Sequence, residues 1–336
     1  MIYTILVNWK GWRDTIECLR SLEAAEHDGL TIVVSDNASP DESVDQIRAW
    51  ANDRFHCVDA DPNFPSSSCV HRSFRWQRDG EKPPFRLILT ENTDNLGFAG
   101  GNNVGIRIAL ADSACRYILL LNNDTEIEPG ALRGFERRMS ADPTLALCGA
   151  TLVFHDNERV VQGLGGTYNR FFARTAAIYS NGNLNSLPDE AQVEKKIDYV
   201  IGAAIFSRPS FFVRTNGLDE GYFLYYEELD LSRRLQTGER MGWAKDAVVR
   251  HKVGGSIGTG VGSRKARGSD LSIYYGHRSM IRYHWTYLRP YLPLLMLSLL
   301  RSTLAYLRKR DIRAVRALWL GVFDFFTKPL RFRRAI

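Results

Sequence analysis

The sequence predicts an α/β protein, with a mostly parallel central sheet flanked by helices and a helical C-terminal extension. Three observations predict it. Residues 1 to 150 alternate apolar runs with stretches of helical period, the pattern of a sheet buried on both faces. The apolar runs end abruptly on amides and acids. The charge is unevenly spread: of the net +6, the chain from Arg301 onward holds ten Lys/Arg against two Asp, which leaves −2 for residues 1 to 300.

Taken in order, "YTILVNW" is a first strand, and "DTIECLRSLEAA" a helix with Asp14 as cap and Ile16, Leu19 and Leu22 on one face. "LTIVVSDNAS" is a second strand, and "DESVDQIRAW" a helix with Val44, Ile47 and Trp50 at helical spacing. Residues 60 to 84, rich in Pro, Ser and Arg, read as an inserted surface loop. "FRLILTEN" and "RYILLLNND" are strands separated by the helical "NNVGIRIALADS". After "LALCGATLVF" the pattern becomes mixed, with strands in 163–179 and 197–208 and a helix in "YEELDLSRRLQTGE". "GWAKDAVVRHKVGGSIGTG" reads as a strand entering a glycine-rich loop. Beyond about residue 268 the chain is aromatic, Leu-rich and basic.

With 44% hydrophobic and 24% charged residues the composition is that of a globular protein, which argues against wholesale disorder. Five cysteines without a C-x-x-C pair read as small buried hydrophobes in a reducing compartment rather than a disulfide framework. "MIYTILVNW" is too short an apolar run for a signal peptide, and no segment reaches the roughly 18 to 20 apolar residues of a spanning helix. The expected location is cytoplasmic, with a peripheral place on the inner face of the membrane left open.

Strand ends carry the chemistry. In a parallel sheet Asn8-Trp9, Asp36-Asn37 and Asn122-Asn123-Asp124 share one edge, where such sheets bind ligands. Asp36 and Asn37 can hydrogen-bond a base or ribose, and Trp9 can lie along a base. "NWKGWRD" lacks the G-x-G-x-x-G of dinucleotide binders. In "NLGFAGGNNVG" the glycines at 97, 100 and 101 permit positive φ and close approach, and Asn103 can bond a sugar or phosphate. Asp124 and His251 are candidate ligands of a divalent cation on a diphosphate. "FLYYEELDLSRR" holds Glu227, Glu228 and Asp230 behind four apolar or aromatic residues, so the helix start lines a pocket and an acid there can serve as general base.

The series "LVNWKG", "VVSDNASPD", "NLGFAGGNN", "LLLNNDTEI", "DYVIGAAIFSR", "GLDEGYFLYYEELDLSRRL", "VVRHKVGGSIG" resembles the family 2 glycosyltransferases of GT-A fold, over residues 1 to about 262, and within them bacterial rhamnosyltransferases. The resemblance implies a catalytic domain at 1–265, with a nucleotide-binding half (1–125) and an acceptor-binding half (126–265), followed by the helical region 266–336. It implies that Val7, Asn8, Trp9, Asp36 and Asn37 surround the nucleoside, and that Asn95, Gly97 and Asn103 lie under ribose and diphosphate. Asp124 matches the last acid of a D-x-D metal motif whose first position is Asn122. Glu228 matches the base of the "ED" pair, with Glu227 and Asp230 as alternatives, and His251 a position near diphosphate or metal. The cofactor implied is Mg2+ or Mn2+. The implied reaction is inverting transfer from a nucleotide-diphosphate-sugar, dTDP-L-rhamnose first and UDP-sugars next, to a glycan or lipid-linked acceptor in cell-surface polysaccharide synthesis. A nucleotidyltransferase and a degenerate sugar-nucleotide-binding scaffold remain alternatives.

"YLPLLMLSLL" (291–300), between Arg289 and Arg301, reads as an in-plane membrane helix or as a helix packed on the protein or on a dimer partner. No nucleic-acid-binding motif accompanies the basic tail.

Overall fold

The computed structural model describes residues 1–58, 69–78, 85–252 and 269–328. The first unit runs β1 (Ile2–Asn8), α1 (Trp12–Glu23), β2 (Leu30–Asp36), α2 (Ser43–Asn52), β3 (His56–Val58), β4 (Val70–Gln77), β5 (Phe85–Asn92), α3 (Gly97–Leu110) and β6 (Tyr117–Asn122). Next come β7 (Thr125–Ile127), α4 (Ala131–Ala141), β8 (Leu145–Phe154), β9 (Asn157–Gly163) and a hairpin of β10 (Gly166–Asn169) and β11 (Arg174–Ala177). There follow α5 (Glu190–Glu194), β12 (Ala204–Ser207), α6 (Pro209–Thr215), α7 (Glu227–Arg233) and β13 (Arg240–His251). Three helices close the described chain: α8 (Asp270–Tyr287), α9 (Leu292–Arg308) and α10 (Ile312–Thr327).

One mixed sheet runs β3-β4-β5-β2-β1-β6-β12-β8-β13-β7, with β9 paired to β8. Its centre is the predicted parallel core: β5, β2, β1 and β6 all run the same way. Their alternate side chains face opposite layers. Leu6, Ile32 and Leu119 join Ile16, Leu19 and Leu22 of α1 on one side. Ile5, Val33 and Leu120 meet Val104 and Ile108 of α3 on the other. Two buried layers explain why these strands read as unbroken apolar runs.

Several expectations are corrected. Part of the expected loop at 60–84 is strand β4, antiparallel to β5. Phe74 packs on the core and Trp76 is buried in it, a period-2 signal hidden among arginines; residues 59–68 and 79–84 lie outside the described residues. Helix α1 starts at Trp12 with no side-chain cap, and Asp14 instead accepts from Lys252 Nζ at 2.8 Å. The stretch 163–179 forms a two-stranded hairpin apart from the main sheet. The helix expected through 239 stops at Arg233; Arg214 pairs with Glu239, which also accepts from Gln236 N at 2.7 Å and folds that segment into a turn. Cys18 and Cys148 are buried as expected, but Cys57 is exposed.

The C-terminal helices build their own small core from Ile273, Ile281, Leu295, Leu299, Leu318 and Val322. Pro293 does not break α9, because it falls in the first turn, where a missing N–H costs nothing. Among the described residues no helix is long and apolar enough to cross a membrane.

Candidate active site

Sheet register assembles the predicted strand ends. Asn8 pairs with Asp36, Asp36 with Glu91, and Val7 with Asn122. The chain then leaves β6 through Asn123-Asp124 and pairs β7 antiparallel with the end of β13, setting His251 opposite Thr125. Lys252 N donates to Asp124 O at 3.0 Å and fixes that junction. Two residues 127 positions apart thereby meet, with His251 Nε2 3.3 Å from Asp124 Oδ1. His251 Nδ1 lies 3.1 Å from Gln162 Oε1, which orients the ring.

These residues open on a cavity of about 320 Å3. Of the predicted residues, Val7, Trp9, Asn37, Asn95, Gly97, Asn122, Asn123, Asp124, Glu227, Glu228 and His251 line it. Asn8, Asp36, Asn103 and Asp230 do not, and their bonding shows why. Asn8 Nδ2 donates to Asp36 Oδ2 at 2.6 Å, and Ser39 donates to the same carboxylate through N and Oγ. That network lies beneath the strand ends, and burial raises Asp36 above the ordinary carboxylate range in spite of its donors. Asn103 spans two segments, donating to Leu218 O at 2.9 Å and accepting from Leu218 N at 2.8 Å. Asp230 is tied to Tyr287 Oη at 2.8 Å and ion-paired with Arg234. All four hold the lining in place from behind it.

The amides on the lining differ in saturation. Asn37 donates to Gly97 O and accepts from Asn92 Nδ2, at 2.8 and 2.9 Å. Asn123 Nδ2 donates to Thr15 Oγ1 at 2.9 Å. Asn122 Oδ1 is buried with no hydrogen-bond partner, an acceptor left over at the cavity wall.

Opposite stand two carboxylates. Glu228 is half-buried against Gly202, whose added Cβ would lie 3.9 Å from the Glu228 Cδ. Burial pushes its carboxyl up to about 7. Glu227 is 6% exposed with Oε2 unpartnered; burial, then the neighbouring Glu228, push it well above the carboxylate range. Two adjacent acids in so dry a site cannot both ionise freely.

What aims them is a strained approach. Tyr225 and Tyr226, just before α7, both take left-handed backbone with φ of 68° and 72°, at roughly 1–3 kcal/mol for each such residue. The loop is clamped from two sides. Phe98 N donates to Phe223 O at 2.8 Å, and Gly97 (φ +70°) passes so close that a Cβ would lie 2.3 Å from that oxygen. On the other side, Ser279 Oγ donates to Leu224 O at 2.9 Å and Tyr275 stacks on Phe223 at 4.4 Å. Gly100 and Gly101, expected to permit positive φ, are helical; at Gly101 a side chain would strike Val7 Cγ1 at 2.8 Å.

The sequence reading named none of Phe98, Ile201, Gly202, Ala203, Phe223, Leu224, Tyr225 and Leu271 as site residues, yet all line the cavity. Phe223, Leu224 and Tyr225 belong to the apolar run before the acids, Phe98 to "NLGFAGGNN", and Ile201, Gly202 and Ala203 to "DYVIGAAIFSR". Leu271 has no such signal, since it lies on α8, beyond the expected boundary at residue 265. The glycine-rich loop expected after His251 lies outside the described residues.

Comparison with known proteins accords with this geometry. The family description "Glycosyl transferase family 2" matches residues 76–211. The chain is 41% identical over 180 residues to the rhamnosyltransferase WbbL of Escherichia coli K12, across 45% of this chain and 66% of that protein. Residues 76–211 thus resemble glycosyl transferase family 2. The chain is also 24% identical over 233 residues to the low-salt glycan biosynthesis hexosyltransferase Agl10 of Haloferax volcanii, across 68% of its own length and 60% of that protein's. It thus spans 60% and 66% of the lengths of these curated relatives. Its fold matches that of the mannosyltransferase PcManGT from Pyrobaculum calidifontis, solved in complex with GDP-Man and Mn2+, at TM-score 0.52 and 15% identity over 97% of this chain and 75% of that one. The chain therefore has the GT-A fold.

Proposed function

We propose that the protein is an inverting glycosyltransferase that moves a sugar from a nucleotide-diphosphate-sugar to a hydroxyl of a glycan or lipid-linked acceptor. The observation that carries this reading is one cavity lined by Asp124 and His251 on the sheet side and by Glu227 and Glu228 on the α7 side. In this reading the nucleoside lies along Trp9 and Asn37, and the vacant Asn122 Oδ1 accepts a hydrogen bond from it. The names of the relatives support a hexosyl donor, and dTDP-L-rhamnose is the first donor to test. Cell-surface polysaccharide synthesis, with a peripheral place at the inner face of the membrane, belongs to the same proposal.

The donor set suits a divalent cation. Asp124 offers an oxygen and His251 a nitrogen, their side chains 9% and 12% exposed. Among the described residues no cluster of three or more His, Cys, Asp or Glu surrounds them, so diphosphate oxygens and water would complete the shell. Bound Mg2+ or Mn2+ would supply neutralisation of the charge on the departing diphosphate.

The chain's own work is proton transfer and orientation. Glu228 takes the acceptor hydroxyl proton as the oxygen attacks the anomeric carbon. The bond to the diphosphate breaks on the opposite face, and configuration inverts. A base that titrates near neutrality is matched to this task. Glu227, neutral in its drier position, can donate a hydrogen bond to a sugar or acceptor hydroxyl. Asp230 is held by Arg234 and Tyr287 and takes no part in the chemistry.

The reading is tested by incubating the protein with dTDP-L-rhamnose, UDP-sugars and GDP-mannose, with Mn2+ or with EDTA. Slow release of nucleoside diphosphate with Mn2+ and none with EDTA is expected. No release from any donor, together with tight donor binding, would instead favour the scaffolding alternative.

A further inference from the structure

Away from the cavity, the C-terminal helices present a second surface with its own chemistry. Helix α9 buries only Leu295 and Leu299. Five further apolar residues face water: Met296, Leu297, Leu300, Leu304 and Leu307 are 44% to 62% exposed. At helical spacing they fall within an arc of about 100°, with Arg301 and Arg308 on its flank. The tip of the β10–β11 hairpin adds Phe171 and Phe172, 51% and 55% exposed. It adjoins α9 directly, since Ser298 Oγ donates to Phe172 O at 3.1 Å and Phe171 packs edge-on against Tyr291 at 5.3 Å. Helix α10 repeats the pattern, with Ile312, Phe323 and Phe326 at 60% to 62% exposure beside Arg313 and Arg316.

A contiguous apolar stripe of this size marks a surface that something covers. Charge identifies what. From Arg301 to Arg316 the chain holds Arg301, Arg308, Lys309, Arg310, Arg313 and Arg316 against Asp311 alone. Asp311 caps α10, its carboxylate accepting from Ala314 N at 3.0 Å. A second copy of this face would bring like charges together. An anionic bilayer offers acyl chains for the stripe and phosphates for its basic margin, and long Arg side chains reach from one to the other.

We propose that the α9 stripe and the Phe171-Phe172 tip dock on an anionic lipid bilayer, with α9 in the plane of the interface. Leu297, Leu300 and Leu304 enter the acyl region while Arg301 and Arg308 sit at the headgroup phosphates. This surface rests on the peripheral membrane place proposed above and gives it its residues, while the vesicle test is read apart from the transfer chemistry.

The test is co-sedimentation of the full chain with vesicles of phosphatidylcholine alone and of phosphatidylcholine mixed with phosphatidylglycerol. Wild type is expected to pellet with the mixed vesicles and to be released by high salt. Neutralising one arginine should weaken binding about five-fold, so Arg301→Gln/Arg308→Gln should lose about 25-fold. Leu297→Asp/Leu304→Asp should abolish pelleting. Both variants change exposed positions, and unchanged far-ultraviolet circular dichroism and melting show that they fold. Equal partitioning of wild type and both variants, or wild type left in the supernatant, overturns the proposal. So does sedimentation velocity showing a dimer that Leu297→Asp/Leu304→Asp converts to monomer, because the stripe would then belong to a second copy.

Discussion

At the scale of single residues, the adjacent pair Glu227-Glu228 is the most consequential feature. Burial raises both, Glu228 to about 7. If Glu228 is the base, it must be ionised, so kcat should rise with pH through about 7 and fall below it. Glu228→Gln should lower kcat by about 10²- to 10⁴-fold while nucleotide still binds; near-normal turnover would remove Glu228 from the mechanism. Stability should move the other way. A carboxyl whose folded value is raised favours folding below its unfolded value and loses that contribution as pH climbs through the folded one. Glu228→Gln should therefore be more stable than wild type at pH 8, with little difference at pH 4. Urea denaturation at the two pH values measures this, and an equal difference at both would show that ionisation is not its source. Asp230→Asn is the contrasting case: with Tyr287 and Arg234 as partners, it should lower Tm and leave the pH profile of kcat in place. The residue types of this site were legible in the sequence, but their depth was not. Asn103 carries the same polar atoms as Asn37 and Asn122, and only tertiary contact decides which faces the cavity and which serves as support.

At the scale of elements, the start of α3 and the loop before α7 behave as one unit, joined at Phe223. Gly97→Ala adds a methyl 2.3 Å from the Phe223 carbonyl oxygen at φ +70°. It should cost roughly 1–3 kcal/mol and raise KM for the donor, because Tyr225, Glu227 and Glu228 shift together. A variant with lowered Tm and unaltered KM would show that the clamp does not position the cavity wall. The core elements were readable because β1, β2, β5 and β6 bury both faces and α1 and α2 keep a clean period. Edge elements were harder. In β4, arginines alternate with Phe74 and Trp76, and polar composition masks a strand whose outward face is exposed. The length of α7 was overestimated because a helical pattern persists past Arg233 while Arg214 draws Glu239 into a turn.

At the scale of the molecule, the sheet connects halves that sequence analysis treats as separate. The first 125 residues supply Trp9, Asn37 and Asp124, whereas Glu228 and His251 come from beyond residue 226. Helix α8, placed by sequence outside the catalytic unit, pins Leu224 and contributes Leu271 to the cavity. Its role was invisible locally, because the tyrosines it packs against come from residues 168 to 226 as well as from its own turns. A panel of nucleotide-sugars with and without Mn2+ should raise Tm most when donor and cation are present together, since in the proposed reading Asp124 and His251 leave the shell for diphosphate oxygens to complete. At a hundredfold excess over Kd the stabilisation is about 2.7 kcal/mol. His251→Ala should abolish the cation-dependent part and spare any shift seen with nucleoside alone.

Strand β7 follows directly on Asp124 but waits for β13, more than a hundred positions later, before it has a neighbour. During synthesis the aspartate thus emerges long before the histidine it faces. If the pair holds a cation as proposed, the nucleotide-side half would be unable to grip it until β13 slots in, and metal loading would await the completed sheet.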